Sequence, residues 1–242
     1  MLASIWRDFR FATKARRCKA VDTSGHQGAP DWHAVKRAGY VLAVLKASEG
    51  ATVTDKSFHR SYDEARGAGL FVQAYHFARA DLGKARGSNL RAWAQEDAGD
   101  EAAQFLKALA GRKMSRVEFA GGAHADVWLD WEKIGTNLPL DVGAEWVLTW
   151  VRLVEAAGYA VGIYSGVNTW SRTVGPQQTA RKRFDGTLRP WWVPSYSDTK
   201  DPDIRVPEAF RPWSMWQHTD KGSVPGIRGD VDLNQFVGVL RD

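Results

Sequence analysis

The sequence predicts an α/β protein built as a modified TIM-type β/α barrel with about eight strands and fewer helices in its second half. Short β-rich runs that end in polar residues alternate with amphipathic helical stretches, an order typical of parallel strands. The length of 242 residues suits one barrel domain. After Gly166 the helical periodicity fades, so the last strands are expected to follow one another through loops.

Eight runs have the composition of strands, because β-branched and aromatic residues dominate them and turn residues bound them. In chain order they are KAVDTSG (19–25), YVLAVLKASEG (40–50), FVQAYHFARA (71–80), DVWLDWEK (126–133), AVGIYSG (160–166), RPWWVPSY (189–196), SMWQHT (214–219) and GDVDLNQF (229–236). Four helices are predicted between the early strands, and each closes on a glycine, as helices commonly do. These helices are DWHAVKRAG (31–39), KSFHRSYDEARGAG (56–69), GSNLRAWAQEDAGDEAAQFLKALAG (87–111) and LDVGAEWVLTWVRLVEAAG (140–158). The stretch from Ser171 to Arg189 is predicted to be a loop.

Composition argues against several classes of protein. Hydrophobic residues make up 44% of the chain, and no apolar run approaches the ~18 residues of a membrane span, so we expect a globular protein without membrane insertion. Cys18 is the only cysteine, which excludes a disulfide framework and a cysteine-built zinc site. The net charge is +5, but residues 1–19 hold six basic residues against one acid and account for all of it. The neutral remainder argues against a nucleic acid partner.

The charge distribution divides the chain into a basic N-terminal extension, residues 1–19, and a single catalytic barrel domain, residues 20–242. Arg7 and Asp8 interrupt the apolar region that a secretory signal needs, so no signal peptide is visible. The extension is predicted to be a solvated segment or a short helix packed on the barrel, in preference to an arm that contacts an anionic surface. We expect a monomer.

Two carboxylates stand inside an otherwise apolar strand, DVWLDWEK. The apolar residues around them alternate in orientation, so Asp130 and Glu132 share one face, ~6.6 Å apart at Cα. That separation suits one glycosidic bond or one metal ion. In a β/α barrel the polar residues at the carboxyl ends of the strands gather at one rim, where active sites lie. The rim is expected to collect Asp22, Glu49, Tyr75, Asp130, Glu132, Tyr164, Gln217 and Asp232.

Metal and acyl-transfer chemistry both fit the sequence poorly. The six histidines are scattered and form no H-E-x-x-H helix: His26, His33, His59, His76, His124 and His218. Only His26, His76 and His218 fall near strand ends, and each is predicted to be a hydrogen-bonding residue of the rim and not a ligand. Ser165 in GIYSG misses the G-x-S-x-G nucleophile elbow. Glycoside hydrolysis, with one carboxylic acid and one carboxylate, remains and requires no metal or organic cofactor. Late-strand tryptophans beside polar residues are candidates for stacking on sugars: Trp191, Trp192 and Trp216.

Eight ordered motifs extend over about residues 20–236: VDTSGHQGAPDW, VLKASEGATVTDKSF, GLFVQAYHFAR, LDWE, GIYSG, WWVPSY, WQHT and GSVPGIRGDVDLNQF. Together they resemble the lysozymes of glycoside hydrolase family 25, the Chalaropsis-type muramidases of bacteria, fungi and phages, phage endolysin catalytic domains among them. The resemblance implies a flattened β/α barrel. It also implies hydrolysis of the β-1,4 bond between N-acetylmuramic acid and N-acetylglucosamine, with bacterial peptidoglycan as the partner.

The resemblance carries the functional acids onto Asp22, Asp130, Glu132 and Asp232. Glu132 is predicted to be the general acid, with a pKa raised by the charge on Asp130 and by partial burial. Asp130 is predicted to stabilise an oxazolinium or oxocarbenium-like species, while the other two acids position substrate and tune these pKa values. The predicted substrate-binding residues are Tyr75, Tyr164, Trp191, Gln217 and Gln27. The alternatives are a non-catalytic wall-binding barrel and a chitinase-like enzyme.

Two segments depart from the family pattern. Residues 112–125 lengthen the approach to the DVWLDWEK strand, and RKRF at 181–184 makes the loop of residues 171–189 basic; both are expected to reshape substrate specificity at the rim. RKRF is more simply explained as a solvated loop. The protein is expected to act on the bacterial cell wall. It would reach the wall after holin-mediated release from the host cytoplasm if it is phage-encoded, and after secretion otherwise.

Overall fold

The computed structural model describes residues 16–81, 89–119, 122–135, 137–175, 189–196 and 213–242. Helices and strands follow one another along these residues in a largely alternating order. The elements are β1 (Arg16–Thr23), α1 (Trp32–Arg37), β2 (Leu42–Glu49), β3 (Val53–Thr54), α2 (Phe58–Gly67), β4 (Phe71–Phe77), α3 (Leu90–Leu109), β5 (Arg116–Phe119), β6 (His124–Ala125), β7 (Val127–Asp130), α4 (Leu140–Ala156), β8 (Val161–Tyr164), α5 (Val167–Thr173), β9 (Trp191–Pro194), β10 (Met215–Gly222) and β11 (Val231–Arg241).

Eight strands close into a barrel in the order β1, β2, β4, β7, β8, β9, β10 and β11, with β11 pairing back onto β1. In the barrel order from β1 to β10, each strand is parallel to the next one. The last strand, β11, is antiparallel to both β10 and β1. Among the described residues, only the short α5 follows β8 as a helix. The predicted fold class, a modified TIM-type β/α barrel with about eight strands and fewer helices in its second half, is confirmed.

Two apolar clusters hold the barrel, one inside it and one between the sheet and the helices. On β7 and at the residue after it the side chains alternate as predicted: Trp128 belongs to the inner cluster, whereas Val127, Leu129 and Trp131 belong to the outer one. All four are buried. Because Asp130 has the same parity as Trp128, this packing directs its carboxyl group toward the barrel axis.

The four predicted helices are present, and side-chain caps explain where two of them begin. The carboxylate of Asp31 accepts a hydrogen bond from the Ala34 N–H at 3.0 Å, and the amide oxygen of Asn89 accepts one from the Ala92 N–H at 3.1 Å. These bonds satisfy N–H groups that a helix leaves free at its start. The seven-residue α5 was not predicted, since it is too short to display a helical period and lacks a side-chain cap. No described helix has the length and apolarity needed to cross a membrane.

The first strand is longer than the sequence pattern suggests. It begins at Arg16, which pairs with Gly238 of β11, so residues 16–19 of the expected N-terminal extension belong to the barrel sheet. The remainder of that extension, residues 1–15, lies outside the described residues, as does RKRF at 181–184.

Residues 112–119 and 122–125, the described part of the segment 112–125, lie away from the active rim, so the expectation that this segment reshapes substrate specificity there is wrong. Within this segment β5 pairs with the stretch Gly238–Arg241, the carboxyl end of β11, and β6 pairs with β5. Because β11 is antiparallel, its carboxyl end lies opposite the rim formed by the carboxyl ends of the other strands. Val117 and Phe119 contribute to the inner cluster, so this hairpin packs at the far end of the barrel.

His76 lies on the outer side of β4 and not at the rim. Its ring is fully buried between Ser48 Oγ, 2.8 Å from Nδ1, and Glu101 Oε2, 2.7 Å from Nε2. Glu101 also accepts hydrogen bonds from the backbone N–H of Arg79. This serine, histidine and glutamate have no exposed surface through which a substrate could reach them. They join β2, β4 and α3 and fix the start of the loop after β4.

Gly143 marks a close contact between α4 and α5 and gives a test of the packing. A Cβ at this position would lie 1.8 Å from the carbonyl oxygen of Thr173. We expect Gly143→Ala to lower the free energy of unfolding by roughly 1–3 kcal/mol, although alanine favours helices. Gly99→Ala in α3, where no atom lies within 4 Å of the new Cβ, should instead raise it by roughly 0.5–1 kcal/mol. Urea unfolding of both variants measures the difference, and equal stabilities would contradict the described helix contact.

Candidate active site

A cleft of about 310 Å³ opens at the rim formed by the carboxyl ends of the parallel strands. Asp22 comes from β1 and Asp130 ends β7, while Asp232 follows the first residue of β11. Because β11 is antiparallel, its amino end lies at this same rim, and Asp232 pairs in register with Asp22. The cleft is lined by all eight residues predicted for the rim: Asp22, Glu49, Tyr75, Asp130, Glu132, Tyr164, Gln217 and Asp232.

A hydrogen-bond network holds the Asp22 side of the cleft. Asp22 Oδ2 accepts bonds from Gln217 Nε2 at 3.1 Å and from Asn234 Nδ2 at 2.7 Å. The Gln217 Oε1 atom in turn accepts the hydroxyl protons of Tyr164, at 2.9 Å, and Tyr196, at 2.7 Å. Each polar group has a partner that fixes its orientation, so the network presents a preformed wall to a ligand.

Asp22 and Asp232 form an interacting pair of acids. Burial raises the pKa of Asp22 well above its ordinary value, and repulsion from Asp232 raises it further. Burial also raises the pKa of Asp232, while its hydrogen bond with Asp22 acts in the opposite direction. Burial therefore opposes ionisation of both carboxyl groups, and the pair carries less negative charge than two exposed acids would at the same pH.

Asp130 and Glu132 have different environments within the cleft. Burial raises the pKa of Asp130 well above its ordinary value, and the neighbouring Glu132 and Asp22 add to the rise. In the described part of the chain, Asp130 Oδ1 is buried and has no hydrogen-bond partner. Burial also raises the pKa of the less buried Glu132, opposed by Lys133. The direction predicted for Glu132 is confirmed, but burial is its main cause, and the repulsion between the two acids raises the pKa of Asp130 instead.

The model of the family described as glycosyl hydrolases family 25 matches residues 21–227, which cover most of the barrel. The chain belongs to glycoside hydrolase family 25. It is therefore a glycoside hydrolase of the lysozyme family, and the resemblance noted in its motifs is confirmed.

Proteins named as lysozymes match this chain over about nine-tenths of its length. Lysozyme M1 of Streptomyces globisporus is 28% identical over 232 residues, covering 91% of this chain and 68% of that protein. The autolytic lysozyme of Clostridium acetobutylicum is 26% identical over 90% of this chain, which spans only 55% of that protein's length. The crystal structure of the bacterial lysozyme from Streptomyces coelicolor superposes with a TM-score of 0.67 at 27% identity, covering 90% of this chain and 91% of the other.

The structure corrects one predicted residue of the family 25 cleft. Trp191 is fully buried in the outer cluster, with its ring 4.9 Å from that of Trp170, and does not line the cleft. The next residue, Trp192, faces the interior and lines the cleft, with its ring 4.7 Å from that of Tyr164. Adjacent residues of a strand point to opposite faces, so only one of the two tryptophans can contact a ligand. Trp216 also belongs to the outer cluster.

Gln27 lines the cleft, but its amide is engaged by the protein. Its Oε1 accepts the backbone N–H of Ser24 at 2.9 Å, and its Nε2 donates to the carbonyl of Asp230 at 3.2 Å. These bonds hold the loop after β1 against the loop before β11. The structure therefore gives Gln27 a positioning role in the cleft wall, and binding of substrate by its amide stays a prediction.

Several residues of the site were not predicted from the sequence. Asn234 is buried and donates a hydrogen bond to Asp22 without lining the cleft; it lies two residues after Asp232 on the same strand face and could have been found from that spacing. Tyr196 projects from the end of WWVPSY and is 47% exposed at the cleft edge. The cations of the cleft come from three separate loops or strand ends and share no sequence signal: Lys46, Arg79 and Lys133.

Across the described ranges, no group of three or more His, Cys, Asp or Glu side chains is arranged to hold a metal ion. The expectation of a reaction without metal or cofactor stays a prediction.

Proposed function

We propose that the protein is an N-acetylmuramidase that hydrolyses the β-1,4 bond between N-acetylmuramic acid and N-acetylglucosamine in bacterial peptidoglycan. The observation that carries this proposal is the pair Asp130 and Glu132, two carboxyl groups at the base of a cleft, both with a raised pKa. Two carboxyl groups in differing environments can supply the acid and the charge stabilisation that glycoside hydrolysis needs. The lysozyme names of relatives from Streptomyces and Clostridium support the same substrate.

Glu132 is the general acid in this mechanism. Its raised pKa keeps a proton available, and it is less buried than Asp130, so its carboxyl group is accessible to a glycosidic oxygen in the cleft. The proton passes to the leaving oxygen as the bond to the anomeric carbon breaks. In the second step the Glu132 carboxylate takes a proton from the attacking water, which restores the acid.

Asp130 orients the 2-acetamido group of the sugar that reacts. Its buried Oδ1 has no donor among the described residues, and an acetamido N–H would supply one. The acetamido carbonyl oxygen then attacks the anomeric carbon and forms an oxazolinium ion, whose positive charge the Asp130 carboxylate stabilises. Water opens this ion and yields a product with N-acetylmuramic acid at the new reducing end.

The neighbouring polar groups position the sugar. Asp22 and Asp232 tune the pKa values of the two catalytic carboxyl groups, because Asp22 raises the pKa of Asp130 and Asp232 raises that of Glu132. Burial and the nearby acids hold the pKa of Tyr75 well above its ordinary value, so its hydroxyl stays neutral. Tyr75, Tyr164 and Gln217 then serve as hydrogen-bonding groups for sugar hydroxyls and amides.

Digestion of purified peptidoglycan tests the proposal. Loss of turbidity, release of reducing ends and mass spectrometry that finds N-acetylmuramic acid at each new reducing end are the expected results. Binding to walls without clearing would favour the non-catalytic wall-binding alternative, and N-acetylglucosamine at the reducing end would name a different bond. Parallel digestion of chitin oligomers separates a chitinase-like activity.

The acetamido mechanism predicts net retention at the anomeric carbon. NMR of the first-formed product, recorded before mutarotation, is expected to show the β-anomer. An α-anomer would contradict the mechanism, because inversion requires direct attack by water. Trapping of a sugar on Asp130 would instead favour direct nucleophilic attack by that carboxylate.

We also propose that the protein acts as a monomer on the bacterial cell wall, reached through holin-mediated release if it is phage-encoded and through secretion otherwise. Light scattering coupled to size exclusion tests the first point. Fractionation of the producing cells tests the second.

A further inference from the structure

Three cations surround one aromatic ring at one end of the cleft. Lys46 Nζ lies 4.5 Å from the centroid of the Phe77 ring, the Arg79 guanidinium 4.9 Å from it and Lys133 Nζ 5.8 Å from it. We call Lys46, Arg79 and Lys133 the cationic end of the cleft. Like charges repel at such spacing unless anions compensate them.

Glu49 compensates two of the three cations. It lies 2.5 Å from Lys46 Nζ and accepts a hydrogen bond from Arg79 Nε at 2.6 Å. Lys133, by contrast, is exposed and makes no hydrogen bond or ion pair with any described residue. Its ammonium group is therefore available to an anionic ligand.

The cationic end lies between the catalytic cleft and a second cavity of about 380 Å³. Glu49, Arg79 and Lys133 line both spaces, and the second is bounded further by residues 50–53 and by Asp81. A substituent carried by a sugar in the catalytic cleft would pass Lys133 as it entered the second cavity. The position suits a side branch of the substrate better than the sugar chain itself, which needs the acids and amides of the cleft.

We propose that Lys133, beside Arg79, binds a carboxylate of the acidic stem peptide that peptidoglycan carries on the lactyl group of its N-acetylmuramic acid. This inference rests on the proposed muramidase function and adds a specificity determinant to it. The competing explanation is that Lys133 serves only to balance the charges of Asp130 and Glu132. That explanation predicts an effect on the chemical step that is independent of the stem peptide.

A double cycle of enzyme and substrate changes distinguishes the two explanations. The two enzymes are the wild type and Lys133→Ala. The first substrate consists of uncrosslinked glycan strands with native stem peptides. The second consists of the same strands after carbodiimide coupling to ammonia, which converts the stem carboxylates to amides. Either change alone is expected to lower kcat/KM about threefold, mainly through KM, as suits one exposed ion pair. Both changes together should lower kcat/KM no further than either alone.

Two further variants complete the experiment. Lys133→Arg keeps the charge and is expected to retain the preference for native stems, while Lys107→Ala, which removes an exposed lysine of α3 outside the cleft, should behave as wild type. An equal loss of kcat on both substrates in Lys133→Ala, or additive effects of the two changes, would overturn the proposal in favour of charge balance. Failure of the wild type to release reducing ends from either substrate would instead overturn the muramidase function itself.

Discussion

Glu132→Gln is expected to lower turnover by at least ~10²-fold while the variant still binds wall fragments, since general acid catalysis typically contributes 10²–10⁴-fold. Glutamine keeps the shape and the hydrogen-bonding capacity of the side chain but cannot give up a proton to the leaving oxygen. Release of reducing ends from purified peptidoglycan measures turnover, and sedimentation with insoluble walls measures binding.

A matched control for this variant is Glu64→Gln, which changes an exposed glutamate of α2 outside the cleft; among the described residues its side chain makes only a 4.0 Å ion pair with Arg60. It should retain wild-type turnover. Near-native activity in Glu132→Gln would show that the acid lies elsewhere, with Asp22 and Asp232 as the next candidates in the cleft.

The same assignment fixes the sign of the pH dependence. Glu132 acts only while protonated, so activity is lost as the pH rises through its pKa. Burial raises that pKa above the ordinary value of 4.5. The alkaline limb of the pH–rate profile is therefore expected at a higher pH than the titration of an exposed glutamate would give. The pH dependence of kcat/KM reports this limb in the free enzyme.

The sequence was sufficient for the barrel and for the acids because their signals are local. The period of two along DVWLDWEK placed Asp130 on the inner face beside Trp128, as the two apolar clusters confirm. Alternation of strands and helices fixed the parallel order, and the rule that strand ends meet at one rim gathered the eight rim residues.

The features that the sequence did not reveal depend on contacts between distant segments. The start of β1 at Arg16 and the hairpin of β5 and β6 are both set by pairing with β11, more than a hundred residues away. On β9, Trp191 and Trp192 are both buried, so the strand shows no alternation of polar and apolar residues that would indicate which of the two side chains faces the cleft. The sequence could not show that Lys133 lies near two other cations, because Lys46 and Arg79 come from other parts of the chain and all three meet only around the Phe77 ring.

Asp130→Asn is expected to separate activity from stability. Turnover should fall by at least ~10²-fold, because asparagine cannot stabilise the positive charge of the oxazolinium ion.

The stability of Asp130→Asn should change in the opposite direction, and its dependence on pH has a definite sign. The folded-state pKa of Asp130 lies well above its ordinary value, so below the ordinary value the carboxyl group is neutral in both states, whereas ionisation at higher pH costs free energy only in the folded state. The wild type therefore loses stability as the pH rises through the raised pKa, and the neutral asparagine does not.

We expect the variant to exceed the wild type in free energy of unfolding by roughly 1–3 kcal/mol near neutral pH, with a much smaller difference at about pH 4. Thermal unfolding at both pH values measures this gap, with Asp100→Asn, an exposed residue of α3, as the control that should show none. A variant less stable than the wild type near neutral pH would mean that donors absent from the described residues hold the Asp130 carboxylate, and its role in orienting the acetamido group would lose its structural basis.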